Sequence, residues 1–255
     1  MTITLAVTGK SGSGKTTVVK AFLSLFKEMY PNKSILLFDN DLSLELGHSF
    51  DKDIRKTIYG IRSGKHEYKT GIPSQMTKQE FVEWAIEDII EPIEENVDMI
   101  VSWLIGSKDC RCPITADINH ALCKLIRRYD IVLFDCEFDL KYLNQLVDYP
   151  IDTTVIVAKA TEEGVHLAQR IEEYSKKYSA GGQGQIGVIL NKVRGGITED
   201  ISSMLNKYHL DILGVLPRDR AITNGKCGVK KDSEVIKEAL RDILFRLNLP
   251  PAGEL

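Results

Sequence analysis

Gly9-Lys10-Ser11-Gly12-Ser13-Gly14-Lys15-Thr16-Thr17 decides how this chain reads. The stretch has the G-x-x-x-x-G-K-[ST] spacing, follows the apolar run Ile3 to Val7 and opens a segment of helical periodicity. Each residue type has a physical task. Glycines let the backbone turn tightly and aim its N–H groups at phosphate oxygens. The expected cradle is Gly12, Ser13, Gly14, Lys15, Thr16 and Thr17, with Lys15 reaching the β- and γ-phosphates and the Thr16 hydroxyl ligating Mg²⁺.

Beyond the loop, Val18, Val19, Phe22, Leu23, Leu25 and Phe26 recur at helical spacing until Pro31-Asn32, and Ser34 to Asp39 then reads as a buried strand. Strand, loop, helix and strand make a βαβ unit with a right-handed crossover and parallel strands. The alternation continues, with strands expected at 97–105, 130–135, 152–158, 185–191 and 211–215. Helices are expected near 77–92, 114–128, 162–178, 197–207 and 232–247. The fold class is α/β: a single doubly wound, mostly parallel sheet of about seven strands with helices on both faces, a P-loop NTPase. One domain is expected over residues 1–255, with a mobile excursion at about 42–75, where no period is visible. Lys52, Arg55, Lys56, Arg62, Lys65 and Lys69 make that excursion basic, which a solvated surface explains more simply than docking of an acidic partner.

Composition narrows the function. In 255 residues, 43% are hydrophobic, enough for a core around one sheet. The net charge of −3 offers no general basic field for nucleic acid or a membrane surface, so neither is an expected partner. The first residues run straight into the loop without a cationic leader, and no apolar run is long enough to span a membrane. A cytoplasmic location is therefore expected. Five cysteines, an odd number, argue for reduced thiols and against a disulfide framework. The stripe Val235, Ile236, Ala239, Leu240, Ile243, Leu244 and Leu247 on the last helix reads as core.

Acidic residues that end strands are the natural partners of a phosphate loop in a doubly wound sheet. Asp39-Asn40-Asp41 ends the second strand, and Asp135 ends Asp130-Ile-Val-Leu-Phe-Asp135, which has the Walker B form. A carboxylate at Asp135 can hold Mg²⁺ through water. Taken alone, each aspartate could equally cap a loop.

Lys10, directly after the first glycine, is not required by the general pattern. With it the loop resembles the deviant Walker A motif, K-G-G-x-G-K-[ST], of dimeric ATPases such as MinD, ParA, ArsA, the nitrogenase iron protein and the CooC-type metallochaperones. Ser11 stands where that motif has glycine. The resemblance implies a homodimer in which Lys10 reaches the partner's nucleotide, and a catalytic set of Lys10, Lys15 and Asp41, the last orienting the attacking water. It also implies an adenine pocket from Asn191 with Lys192, and from Pro217 and Arg218 in Gly214-Val-Leu-Pro217-Arg218. An amide offers donor and acceptor together, which matches adenine. ATP and ADP are then the expected nucleotides, since Arg194 stands where a guanine-type N-K-x-D signature has aspartate.

Cys110-Arg111-Cys112 precedes a helix. Alone it reads as two unliganded thiols. Duplicated about a two-fold axis, it supplies four thiolates, a set suited to Zn²⁺ and other thiophilic metals. The C-x-C before a helix and a Walker B strand, and the run Asp135-Cys-Glu-Phe-Asp-Leu-Lys-Tyr-Leu143, resemble CooC-type ATPases over nearly the whole chain. Phe138-Asp139 and Tyr142 depart from that pattern. The resemblance implies Ni²⁺ or Zn²⁺ held by Cys110 and Cys112 across the dimer, and delivery to a client metalloenzyme such as a carbon monoxide dehydrogenase. Competing expectations are a MinD- or ParA-like positioning ATPase acting on membrane or DNA, and an iron–sulfur electron donor. Cys123 and Cys136 read as small buried hydrophobes, and His120 as a surface residue.

Overall fold

β1 (Ile3–Thr8) is buried along its whole length, as a continuous apolar run inside a parallel sheet requires. A computed structural model describes residues 2–41, 43–52, 54–63, 72–102, 113–137, 147, 149–178, 184–218 and 234–247. The other strands are β2 (Ile35–Asn40), β3 (Glu91–Glu94), β4 (Val97–Val101), β5 (Ile131–Cys136), β6 (Thr153–Lys159), β7 (Gln185–Val193) and β8 (Ile212–Pro217). They form an 8-stranded sheet in the order β3-β4-β2-β5-β1-β6-β7-β8. Every pairing is parallel except β3 with β4. β1 lies between β5 and β6, where the winding of the sheet reverses, so the loop that follows β1 sits at the switch point where ligands bind in such folds.

The helices are α1 (Lys15–Met29), α2 (Glu45–His48), α3 (Ile58–Ser63), α4 (Lys78–Asp88), α5 (Pro113–Ile126), α6 (Glu162–Tyr178), α7 (Glu199–Tyr208) and α8 (Glu234–Arg246). Side chains alternate across each strand, so the interior strands feed a core on each face. Leu5, Val7, Leu37 and Leu133 pack with Phe22 and Phe26 of α1 and Leu240 and Ile243 of α8. On the opposite face Leu36, Phe38, Val132 and Phe134 meet Val82 and Ile86 of α4 and Leu122 and Ile126 of α5. Ile156, Val188 and Leu190 continue that face toward Val165 and Ile171 of α6 and Leu205 of α7. Burying one such large apolar side chain contributes about 1.5–3 kcal/mol, and the two layers lock α1 against the sheet. Of the expected stripe, Ile236, Leu240, Ile243 and Leu244 of α8 and Leu247 just after it are buried, so these residues are core, while the Val235 side chain lies outside the described ones.

One expectation changes. The helix expected near 77–92 stops at Asp88, and Glu91–Glu94 forms an additional edge strand that turns back through Glu95-Asn96 into β4. Asn96 takes the left-handed conformation (φ 59), which asparagine tolerates well, and Pro92 sits on an edge strand where its missing N–H costs least. At the other end of α4, Thr77 accepts from the Glu80 N–H while the Glu80 carboxylate accepts from Thr77, a complete capping box. Of the stretch 42–75, residues 43–52, 54–63 and 72–75 are described. Leu46 of α2 and Ile58 and Ile61 of α3 are buried, which ties those parts to the core. Helices of 4 and 6 residues are too short to leave a readable period. Among the described residues, no helix is long and apolar enough to cross a membrane.

Candidate functional site

The phosphate loop closes between the ends of β1 and β6 and the start of α1, and two of its glycines are dictated by close approach. A Cβ on Gly9 (φ 148) would lie 2.2 Å from the Val157 carbonyl oxygen, and one on Gly14 (φ 101) would lie 2.4 Å from Asn191 Nδ2. Ser11 is not among the described residues with positive φ, so a side chain at that position is unstrained. Gly14 caps α1 without a side-chain bond, which leaves the first N–H groups of the helix directed at the cavity. That cavity, about 360 Å³, is lined by Gly12, Gly14, Lys15, Thr16, Thr17 and Asp41, among others.

At its floor the start of α1 and the ends of β2 and β5 bring five side chains together. Lys15 is buried, with Nζ 3.2 Å from Asp41 Oδ2. Thr16 Oγ1 donates to Asp135 Oδ2 at 2.7 Å, while Asp135 Oδ1 is buried without a hydrogen-bond partner. Asp39 accepts from the N–H groups of Asp41 at 3.1 Å and Gly47 at 3.3 Å. Burial, then the charge of Asp135, pushes the Asp39 pKa up to about 7. Burial likewise pushes Asp135 up to about 6, against the Thr16 hydrogen bond and the charge of Lys15. Asp41 behaves differently: burial raises it, but hydrogen bonds from the Ser43 N–H and hydroxyl, with Lys15 beside it, hold it below the usual carboxylate value. The floor thus carries more carboxylate than Lys15 neutralises, and one buried oxygen lacks a partner, a combination that fits a divalent cation. Among the described residues no three His, Cys, Asp or Glu side chains converge as a metal cage. Mg²⁺ does not need one, since it is commonly held by one or two carboxylates with substrate phosphates and water.

The remaining expected residues lie on the rim. Lys10 is exposed, and its Nζ pairs with Glu163 at the start of α6. Asn191 ends up against the loop: its Nδ2 donates to the Ser13 carbonyl at 2.8 Å, and its Oδ1 accepts from the Lys192 N–H at 2.8 Å. Pro217 lines the cavity, while Arg218 is exposed and its N–H donates to the Val193 carbonyl at 2.9 Å. Cys110 and Cys112 lie outside the described residues, as do Phe138-Asp139, Tyr142 and Cys227. Cys136 is buried, Cys123 is partly buried with its thiol 3.7 Å from Asn119 Oδ1, and His120 is exposed.

From the sequence, Asp39 receives no role of its own, and Lys192 is placed with Asn191 in the adenine pocket and not against the phosphate loop. Asp39 could have been flagged as a second carboxylate in the same strand end. The loop contact of Lys192 could not, because its Nζ meets the Gly12 carbonyl, 2.9 Å away, across 180 positions of chain.

Comparison with known proteins agrees with this geometry. Residues 4–228 match the family model described as the CobQ/CobB/MinD/ParA nucleotide binding domain. An uncharacterized ATP-binding protein of Methanocaldococcus jannaschii is 27% identical over 222 residues, spanning 86% of this chain and 85% of its own. A second from the same organism is 24% identical over 249 residues, spanning 92% and 93%. The fold is similar to that of the cell-division protein MinD in its complex with MinC from Aquifex aeolicus (TM-score 0.66, 15% identity, 97% of both chains). It is equally similar to MinD complexed with Mg-ADP from Pyrococcus horikoshii (TM-score 0.66, 19% identity, 97% of this chain and 96% of the other). With a phosphate loop at the sheet's switch point, carboxylates ending the strands beside it and a family match over most of its length, this chain belongs to the CobQ/CobB/MinD/ParA family of nucleotide-binding P-loop proteins.

Proposed function

We propose that the protein is a Mg²⁺-dependent ATPase whose nucleotide state controls a homodimer, and that the dimer delivers a thiophilic metal to a client metalloenzyme. The observation that carries the ATPase reading is the floor of the cavity, where Lys15 meets Asp41 and Thr16 meets Asp135. Lys15 and the α1 N-terminus would hold the β- and γ-phosphates. Thr16 and Asp135, with its unpartnered oxygen, would hold Mg²⁺. The bound ion would neutralise charge developing on the phosphoryl oxygens. Asp41, kept ionised by Ser43 and Lys15, is suited to accept a hydrogen bond from the attacking water. In the dimer, Lys10 would leave Glu163 for the partner's nucleotide. An exposed ion pair of this kind is screened by solvent, so its exchange is cheap.

Metal delivery is supported by the sequence alone, through Cys110-Arg111-Cys112 and its place before α5. Nickel, or zinc in its place, is the cargo. An anaerobic Ni²⁺ and Zn²⁺ titration of the reduced protein with an ATP analogue is expected to give one tightly bound metal per two chains. The Cys110→Ala, Cys112→Ala double variant should lose that site. Equal binding by wild type and variant would remove the metal from the account. Sedimentation with liposomes or DNA would then decide for a positioning ATPase of the MinD or ParA type.

A further inference from the structure

We infer that Asn40 and Ser102 are positioning residues for Asp41: the Ser102 hydroxyl fixes the strand end from which Asp41 leaves the sheet, and so sets where its carboxylate meets water. The inference rests on the role proposed for Asp41 above. The ladder between β2 and β4 ends with the pair Asp39 and Val101, whereas β2 runs on to pair Asn40 with Cys136 of β5. On the β4 side Ser102 takes over from the ladder. Its N–H donates to the Asp39 carbonyl at 2.9 Å, and its hydroxyl donates to Asn40 Oδ1. Its carbonyl accepts from the Tyr59 N–H at 3.0 Å, which ties α3 to the same point. Ser102 is only 1% exposed, so a hydroxyl there requires a partner, and the Asn40 amide supplies it.

Consecutive strand side chains point to opposite faces. Asn40 therefore shares the face of Phe38, toward α4 and α5, while Asp39 shares the face of Leu37, toward α1. Neither Asn40 nor Ser102 lines the nucleotide cavity, so neither acts on phosphate or water directly. They act on Asp41 through the backbone. The Asp41 N–H donates to Asp39 Oδ1 at 3.1 Å and its carbonyl accepts from the Leu44 N–H at 3.2 Å, so this turn starts from a residue that Ser102 holds. Lys15 also steadies Asp41, with Nζ 3.2 Å from Oδ2. Once Lys15 follows a phosphate that support is gone. The backbone anchor, with Ser43 on Oδ1, then decides where the carboxylate sits. Misplacing a group that orients a reactant by about 1 Å can cost on the order of 10²-fold in rate.

Single-turnover hydrolysis of ATP with Mg²⁺, beside calorimetry with a non-hydrolysable ATP analogue, tests this in wild type, Ser102→Ala, Ser102→Thr, Asn40→Leu and the Ser102→Ala, Asn40→Leu pair. Ser102→Ala and Asn40→Leu are each also placed on Asp41→Asn. On the wild-type background each should slow hydrolysis about tenfold and leave analogue affinity within about twofold. The pair should lose no more than either alone, since all three variants lack the same hydrogen bond. Ser102→Thr, which keeps the hydroxyl, should recover most of the rate. On Asp41→Asn neither substitution should slow hydrolysis further, an outcome that a general loosening of the fold would not give. Should Ser102→Ala fail to fold, Asn40→Leu, at a partly buried position, carries the test. Rates equal to wild type, affinity falling in step with rate, or an undiminished loss on Asp41→Asn overturns the positioning role. A wild type that does not hydrolyse ATP instead overturns the ATPase reading itself.

Discussion

Lys15 and Asp41 face each other in a buried pair whose members have separate tasks. Lys15 leads α1 and can follow a phosphate, while Asp41 is anchored by Ser43 through its Oδ1 at 2.9 Å and 2.8 Å. Anchoring leaves its Oδ2 to the lysine and, in the proposed reaction, to water. Asp41→Asn keeps the size and most hydrogen bonds but removes the charge. Its kcat for ATP hydrolysis should fall by about 10²- to 10³-fold with nucleotide affinity nearly unchanged, as steady-state kinetics beside calorimetry would show. A parallel loss of affinity and rate would make Asp41 a structural partner of Lys15 and not a participant in the chemistry. The role of Asp41 came from the resemblance to the dimeric ATPases with a deviant Walker A motif. The geometry adds that its carboxylate stays ionised where neighbouring Asp39 and Asp135 do not readily do so.

Elements hold these side chains in place, and two contacts measure how firmly. Phe22, fully buried in α1, stacks on Phe26 with ring centroids 6.1 Å apart and presses the helix behind the loop onto the sheet. Phe22→Ala should cost about 3–5 kcal/mol in urea unfolding, by loss of buried area and by the cavity left behind. At the opposite end of the sheet, Asp130 fastens the entries of β2 and β5 by accepting from the Ser34 N–H and hydroxyl, both at 2.9 Å. Burial raises the Asp130 pKa, but Ser34 and Lys33 outweigh it and hold the carboxyl below its ordinary 3.8. A depressed folded value means that the stabilisation is complete above 3.8 and is lost as pH falls through the folded value. Asp130→Ala should therefore lower stability at pH 7 by about 1 kcal/mol, a modest figure because the side chain is partly solvated, and the gap to wild type should close in acid. Most elements were legible in the sequence because their apolar periods are long. Edge strand β3 was not: its Glu-Pro-Ile-Glu run is short, follows a helix directly and includes a proline. The loop itself was legible from glycine spacing. The carbonyl contacts of Asn191 and Lys192 were not, because only the adjacency of β1, β6 and β7 brings such distant segments together.

On the scale of the molecule, the C-terminal edge of the sheet divides by charge. Carboxylates Asp39, Asp41 and Asp135 lie at or next to the C-terminal ends of β2 and β5 on one side of the loop, and Lys159, Lys192 and Arg218 at or next to those of β6, β7 and β8 on the other. Burial, then Lys159 and Arg218, lowers the pKa of Lys192, so this side is short of negative charge as the other is short of positive. A nucleotide with its magnesium ion supplies both, phosphates toward the lysines and the cation toward the aspartates, which is why the whole edge and not one motif specifies the ligand. The most direct test is calorimetric titration of a non-hydrolysable ATP analogue into the wild-type protein and Lys15→Ala, each with Mg²⁺ and with EDTA. One analogue should bind per chain, at least about tenfold tighter with Mg²⁺, and Lys15→Ala should lose binding. Binding by Lys15→Ala equal to wild type, or wild-type affinity indifferent to Mg²⁺, would contradict the nucleotide-site reading.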